Sequence, residues 1–327
     1  MIKRISAILL TAALALSMSG CFASPAPKAS LYQTGSGNEG RSAYTGTSTF
    51  DPVYYPYYSM LSQNAKDAYA MIYDGLSSGQ TNIKLKGGTT SKDVTDAFNM
   101  VLLDHPELFW VRTDFNYSYI EITGAVTSAT FNFYDFASTP EALAKAKQDF
   151  NKAADAILAG AKRYRTAAEI ELYIHDEINK SAEFDAKAKY SQSAYSALVT
   201  HRSVCAGYAR AFQYLMQKSG IPCYYCAGTA DGEAVAATGG TETSHSWNIV
   251  RTGVSYCNVD CMWDDSVSDA YGKNQYPFFN LSDKEFRYHT RTGMSVNLPA
   301  CNDSTQSYKA KFGDTIEAKD LIFKKIA

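Results

Sequence analysis

Cys205, His245 and Asp260 are the residues whose types and spacing could do chemistry. Cys205 lies in Ser203-Val204-Cys205-Ala206-Gly207-Tyr208-Ala209-Arg210. His245, in Ser244-His245-Ser246-Trp247-Asn248, follows it by 40 residues, and Asp260, closing Asn258-Val259-Asp260, follows by another 15. A thiol attacks as thiolate, and its reference pKa of about 8.5 falls beside an imidazolium or a helix N-terminus. An acid then holds the imidazole in the useful tautomer. These are the three parts that thiol-based acyl transfer requires. Taken alone, Cys205 is equally well a buried small hydrophobe. His245, however, stands at the mouth of a strand-like run rather than inside it, and Asp260 ends a second run, where a buried acid needs a partner.

The elements that must position these groups follow from periodicity. From Cys205, apolar or aromatic residues recur at Tyr208, Phe212, Leu215 and Met216, with Arg210, Gln213, Gln217 and Lys218 on the other side. Ser203 is the expected N-cap and Gly220 the C-terminal cap, and Pro222 blocks continuation. Cys205 thus falls in a first helical turn, where unpaired N–H groups and the positive end of the dipole favour a thiolate. Its own N–H could donate to a developing oxyanion. Trp247-Asn248-Ile249-Val250 and Val254 to Val259 read as strands.

The same residues carry a resemblance. Ala194-Tyr195-Ser196-Ala197-Leu198, Val204 to Phe212, Gly220-Ile221-Pro222, His245-Ser246-Trp247-Asn248 and Val259-Asp260-Cys261-Met262-Trp263-Asp264-Asp265 together resemble the core of the bacterial transglutaminase-like superfamily, over about residues 165 to 265. The resemblance implies an α+β, papain-like core in which a helix carrying the cysteine packs on an antiparallel sheet carrying the histidine and the aspartate. It implies a triad of Cys205, His245 and Asp260, and no cofactor or metal is expected. One departure is visible: Cys261 and Met262 stand where the family usually has Pro or Ser followed by Thr.

The N-terminus reads as a processing signal. Lys3 and Arg4 precede an apolar stretch, Ile5 to Met18, too short to span a bilayer comfortably. Met18-Ser19-Gly20-Cys21 resembles the lipobox of bacterial lipoproteins, so Cys21 is the expected lipidated first residue of an extracytoplasmic, membrane-anchored chain. Residues 22 to 48, rich in Ser, Gly, Ala, Pro and Thr, read as a flexible tether. A net charge of -2 without a basic cluster gives no case for nucleic acid. Of seven cysteines, Cys223, Cys226, Cys257, Cys261 and Cys301 are left as one or two disulfides or as buried thiols. A zinc set is disfavoured because residues three apart on a strand face opposite ways.

The chain divides into a signal (1–20), a tether (21–48), a smaller α+β accessory domain (49–138), a catalytic domain (139–290) and a C-terminal strand extension (291–327). Ser59–Leu76 and Ser91–Leu103 have helical spacing. Phe115–Ile122 and Ala125–Tyr134 alternate as a hairpin. His105-Pro106-Glu107-Leu108-Phe109-Trp110-Val111 resembles a segment found ahead of this core in bacterial members, with packing as the reading for Phe109 and Trp110. Helices are expected over Pro140–Ala161 and Ala167–Ser181. His175 reads as part of a solvated face, and His105, His201 and His289 carry no expected chemistry. Thr229–Ser244 is a long Gly/Thr/Ala-rich loop expected to cover substrate, and Phe312–Ile326 is expected to add a terminal strand or hairpin.

Three functions fit: a cysteine peptidase, a protein-crosslinking transglutaminase, or a non-catalytic binding lipoprotein on the same fold. The expected partners are a protein or peptide substrate, cell-wall peptide among the candidates, and the membrane through Cys21.

Overall fold

A computed structural model describes residues 29–33, 48–231 and 243–321 of the 327-residue chain. In chain order its strands and helices are β1 (Ala29–Gln33), α1 (Pro56–Ser59), α2 (Gln63–Ser77), β2 (Asn82–Lys84), α3 (Ser91–Asp104), β3 (Val111–Tyr119), β4 (Val126–Phe133), α4 (Pro140–Ala161), α5 (Ala167–Ser181), β5 (Glu183–Phe184), α6 (Ala194–Leu198), β6 (Arg202–Ser203), α7 (Cys205–Lys218), β7 (Cys223–Ala230), β8 (Ser244–Thr252), β9 (Ser255–Val259), α8 (Cys261–Tyr271), β10 (His289–Arg291) and α9 (Tyr308–Lys311).

Local chemistry starts the helices where the sequence says it should. Thr90 and Thr166 each accept from the amide three residues on, while Asp93 and Glu169 reach back to the threonine amides. These reciprocal pairs satisfy donors that a helix start leaves orphaned. Thr139 caps α4 with Pro140 at its first position, where a missing N–H costs nothing. α7 differs from expectation. Its cap is Val204, which offers no side-chain bond, and the Ser203 hydroxyl pairs with Ser196 Oγ at 2.5 Å. At its far end the backbone turns at Gly220, φ +78°, a conformation that favours glycine.

Two four-stranded sheets result. The first runs β1-β3-β4-β2, antiparallel except that β1 lies parallel to β3. The second runs β10-β7-β8-β9, antiparallel throughout. The fold is thus α+β, with the helix that Cys205 opens packed on an antiparallel sheet: α7 lies against the second sheet, with Asn248 of β8 donating to the Ala209 carbonyl at 2.9 Å.

One hydrophobic core runs through both sheets and their helices. Arg210 and Gln213, on the polar side of α7, are buried and donate to the carbonyls of Leu102 and Leu103 in the last turn of α3. Those carbonyls have no partner within their own helix, so the two side chains supply it. Phe109 stacks on Phe150 at 4.0 Å and on Tyr195 at 5.6 Å. Lys147 lies over Trp110, so packing explains this segment.

Three expectations are corrected. Within the segment read as a tether, Ala29–Gln33 forms a strand on the edge of β3 opposite β4, where an unpaired row of N–H and C=O groups offers a template. The described part of Phe312–Ile326 contains no strand; Ala318–Asp320 is a single 3-10 turn. His175 is buried rather than solvated. Cys21, the lipobox and most of the Thr229–Ser244 loop lie outside the described residues. Among the described residues no helix is long and apolar enough to cross a membrane.

Candidate functional site

Cys205 is the first residue of α7 and is fully buried. Gly207 explains how the helix start is held. A Cβ there would overlap Ser203 Oγ and Ser196 Oγ and press on the Ser193 carbonyl, so only glycine lets α7 sit this close to α6. One turn beyond Cys205, Tyr208 Oη donates to Asp265 Oδ2 at 2.8 Å. This bond ties the first turn of α7 to the start of α8, and Asp260 is the N-cap of α8. The positive ends of two helices thus lie near one another, an environment that favours anions.

His245, at the start of β8, meets Asp260, just past the end of β9. Its Nε2 lies 2.5 Å from Asp260 Oδ2, and Trp263 N–H donates to Oδ1 at 3.1 Å. Both residues are 1 % exposed. Burial alone would raise the Asp260 pKa. The charge and hydrogen bond of His245, reinforced by His289, outweigh burial and hold the carboxyl well below its ordinary range. Asp260 is therefore ionised and suited to fix Nε2–H of His245, which leaves Nδ1 to handle the proton of a thiol. The structure joins His245 and Asp260 directly. It sets Cys205 on the helix that β8 grips through Asn248, three residues beyond His245.

Sequence reasoning missed His289. On β10, beside β7, it points its Nε2 at Asp260 Oδ2, 3.0 Å away, while its Nδ1 lies 2.9 Å from the Arg287 carbonyl. Phe286 stacks on it at 4.0 Å, and Trp263 and Trp247 tilt against it at 4.4 and 5.1 Å. Nothing in its local sequence signals this, because its partner lies 29 residues earlier on another element. Ligand-capable atoms of His245, Asp260 and His289 fall within 4.8 Å of one another. Their N···O separations of 2.5 and 3.0 Å are hydrogen-bond lengths, so the trio is organised around protons.

A second buried network lies behind the site. His175 of α5 contacts Asp264 of α8 at 3.1 Å through Nε2 and Asp176 at 3.2 Å through Nδ1, and Asp264 Oδ1 accepts from Phe278 N–H. Burial opposes charge on His175, but its hydrogen bonds to Asp176 and Asp264 prevail and raise its pKa to about 9. Nearby, burial raises Glu171 to about 8, against a partial offset from Asn280, which donates to Oε2 at 2.9 Å. This network locks α5 to α8 and so steadies Asp260.

Among the described residues, the cysteines other than Cys205 have the character of core thiols. Cys223, Cys226, Cys257, Cys261 and Cys301 are buried and unbridged. Burial pushes Cys226 and Cys257 up to about 12 and raises Cys223, Cys261 and Cys301 as well. Among the described residues these five do not form a common metal-ligand set.

Residues 151–261 match the family model of the transglutaminase-like superfamily. No curated protein matches the sequence. Three solved structures share parts of the fold. One is named a TGase, with 9 % identity over 45 % of this chain and 50 % of that one at TM-score 0.32. Another is named a candidate cysteine protease from Cytophaga hutchinsonii, with 13 % identity over 58 % and 59 % at TM-score 0.31. The third is the periplasmic domain of TgpA from Pseudomonas aeruginosa, with 13 % identity over 43 % and 60 % at TM-score 0.30. The chain thus spans between 50 and 60 % of the length of these solved structures. The matched segment holds Cys205, His245 and Asp260 together with α7, β8 and β9, so residues 151–261 of the chain form a transglutaminase-like domain.

Proposed function

We propose that the protein is a thiol enzyme that breaks an amide or peptide bond through a thioester on Cys205, with water as the usual acceptor. The observation that carries this reading is the buried His245–Asp260 hydrogen bond beside the helix that Cys205 opens. Cys205 Sγ gives its proton to His245 and attacks the carbonyl carbon. The oxyanion forms next to the Cys205 amide at the helix start. As the carbon–nitrogen bond breaks, His245 returns the proton to the leaving amine. Water, deprotonated by His245, then attacks the thioester, and Cys205 leaves as thiolate. Asp260 keeps Nε2 protonated throughout.

An amine in place of water would give crosslinking by the same residues, and the triad chemistry is common to both. Hydrolysis is the reading adopted because water, at roughly 55 M, outcompetes an amine unless the site excludes it. The test offers a peptide library with and without excess primary amine. Cleaved peptide without amine incorporation, lost in Cys205→Ser, supports the peptidase. Amine-labelled product assigns a transglutaminase, and a wild-type protein inert to both indicates a binding protein on this fold.

We also place the active domain at residues 139–290, behind the accessory domain and a lipid anchor at Cys21. The Met18-Ser19-Gly20-Cys21 signature supports the anchor, and a protein or peptide near the bacterial membrane would be within its reach. Cys21→Ser should move the protein from the membrane pellet to the soluble fraction without changing its melting temperature. Continued pelleting would exclude lipidation at Cys21.

A further inference from the structure

His289 has no part in the proton transfers above, yet it contacts the acid on which they depend. Asp260 Oδ2 faces two imidazole nitrogens, His245 Nε2 at 2.5 Å and His289 Nε2 at 3.0 Å. The other nitrogen of His289 faces the Arg287 carbonyl at 2.9 Å, and a carbonyl can only accept. Both partners of the His289 ring are therefore acceptors, whereas a neutral ring carries one proton. A neutral His289 can satisfy Asp260 or Arg287; only an imidazolium satisfies both.

We propose that His289 is a positioning residue for Asp260: it donates from Nε2 to Oδ2, and on taking a second proton it competes with His245 for that oxygen. The proposal rests on the triad reading of Cys205, His245 and Asp260. In the neutral state His289 anchors one edge of the carboxylate while Trp263 N–H holds Oδ1, which leaves His245 the remaining approach. In the charged state the Nδ1 proton goes to the Arg287 carbonyl, and a second positive ring stands 5.2 Å from His245. That charge opposes the imidazolium His245 must become when Cys205 ionises, so the acid limb of reactivity belongs in part to His289.

The groups facing this ring agree with that role. Asp260 favours its protonation. Burial and the charge of His245 oppose it more strongly, and its pKa is lowered. Trp247 from β8, Trp263 from α8 and the rings of Phe278 and Phe286 enclose it without adding charge. Arg291 and Asp283, further out, pair with each other at 2.6 Å. A cavity of about 420 Å³ is bordered by Trp247, Phe286, His289 and Arg291.

The test uses alkylation of Cys205 by iodoacetamide, read by mass spectrometry of the Cys205 peptide across pH, and so needs no known substrate. His289→Gln keeps a donor that never titrates. It should label near the wild-type rate at neutral pH, with its acid limb moved to lower pH. His289→Phe fills the ring space without a donor and should label about tenfold more slowly, the scale of one lost hydrogen bond to a charged group. Equal profiles for wild type and both variants overturn the proposal, as do equal losses in both with an unmoved limb. If either variant does not fold, nitrogen-15 spectra of the histidine rings in wild-type protein decide. A proton on His289 Nε2 with a second taken up in acid supports the proposal, and a ring protonated on Nδ1 alone throughout overturns it. Failure of the triad reading itself would look different: wild-type Cys205 would label like a simple thiol, and His245→Ala would change nothing.

Discussion

Asp260 divides its two oxygens between two tasks: Oδ1 caps α8 through Trp263 N–H, and Oδ2 holds His245 Nε2 at 2.5 Å. The residue that starts a helix is thus also the one that orients the imidazole, and the helix fixes the direction of the hydrogen bond. Asp260→Asn keeps size and part of the hydrogen bonding but weakens support for an imidazolium, so turnover should fall only in part. Asp260→Ala removes both tasks and should cost at least about a further tenfold, or about 1.4 kcal/mol, together with some melting temperature. Turnover of the wild type, Asn and Ala proteins should follow that order. A folded Asp260→Ala protein as active as wild type would remove Asp260 from the mechanism.

Gly207 should tolerate no side chain. A methyl there overlaps the Ser203 and Ser196 hydroxyls and meets the Ser193 carbonyl, and overpacking of this kind costs about 1 to 3 kcal/mol. Gly207→Ala should lower the denaturation midpoint by that amount. Adding Ser203→Ala should restore part of the loss and not all, since the Ser196 hydroxyl and the Ser193 carbonyl remain. Unchanged stability in Gly207→Ala would contradict the close approach of α6 and α7.

Glu171 gives stability a pH dependence of known sign. Burial raises its pKa from an ordinary 4.5 to about 8, so the native state holds this proton more tightly than the unfolded chain. Its contribution is complete below the ordinary value and is lost as pH rises toward about 8. Glu171→Gln, neutral at every pH and able to keep the bond from Asn280, should show a shallower fall in melting temperature from pH 5 to pH 9, two points that bracket the shift. His175, raised to about 9, contributes a loss of the same sign, so some slope remains. An undiminished slope in the Gln variant would refute the assignment.

Much of this was legible in the sequence because it is local. The bounds of α4 and α5 follow from Thr139, Pro140 and Thr166, whose caps act within three residues. The helix opened by Cys205 follows from its apolar stripe and from Gly220. What was not legible depends on partners far along the chain. Ser203 reads as a cap, but Ser196 claims its hydroxyl. His175 reads as solvated beside Asp176 and Glu177, yet Asp264, 89 residues away, receives it in the core. His289 gives no sign of its role, since a residue on β10 reaches Asp260 only once four strands have paired in the order β10-β7-β8-β9.

The central claim is that Cys205 is a thiolate made by His245, and the rate of Cys205 alkylation against pH measures this directly. Wild-type Cys205 should label rapidly well below the ordinary thiol value of about 8.5, while Cys226 and Cys257, held near 12 by burial, should not. His245→Ala should return Cys205 to slow labelling that rises only in alkali. Wild-type labelling that climbs only near the ordinary thiol value, and is the same in His245→Ala, would contradict the claim.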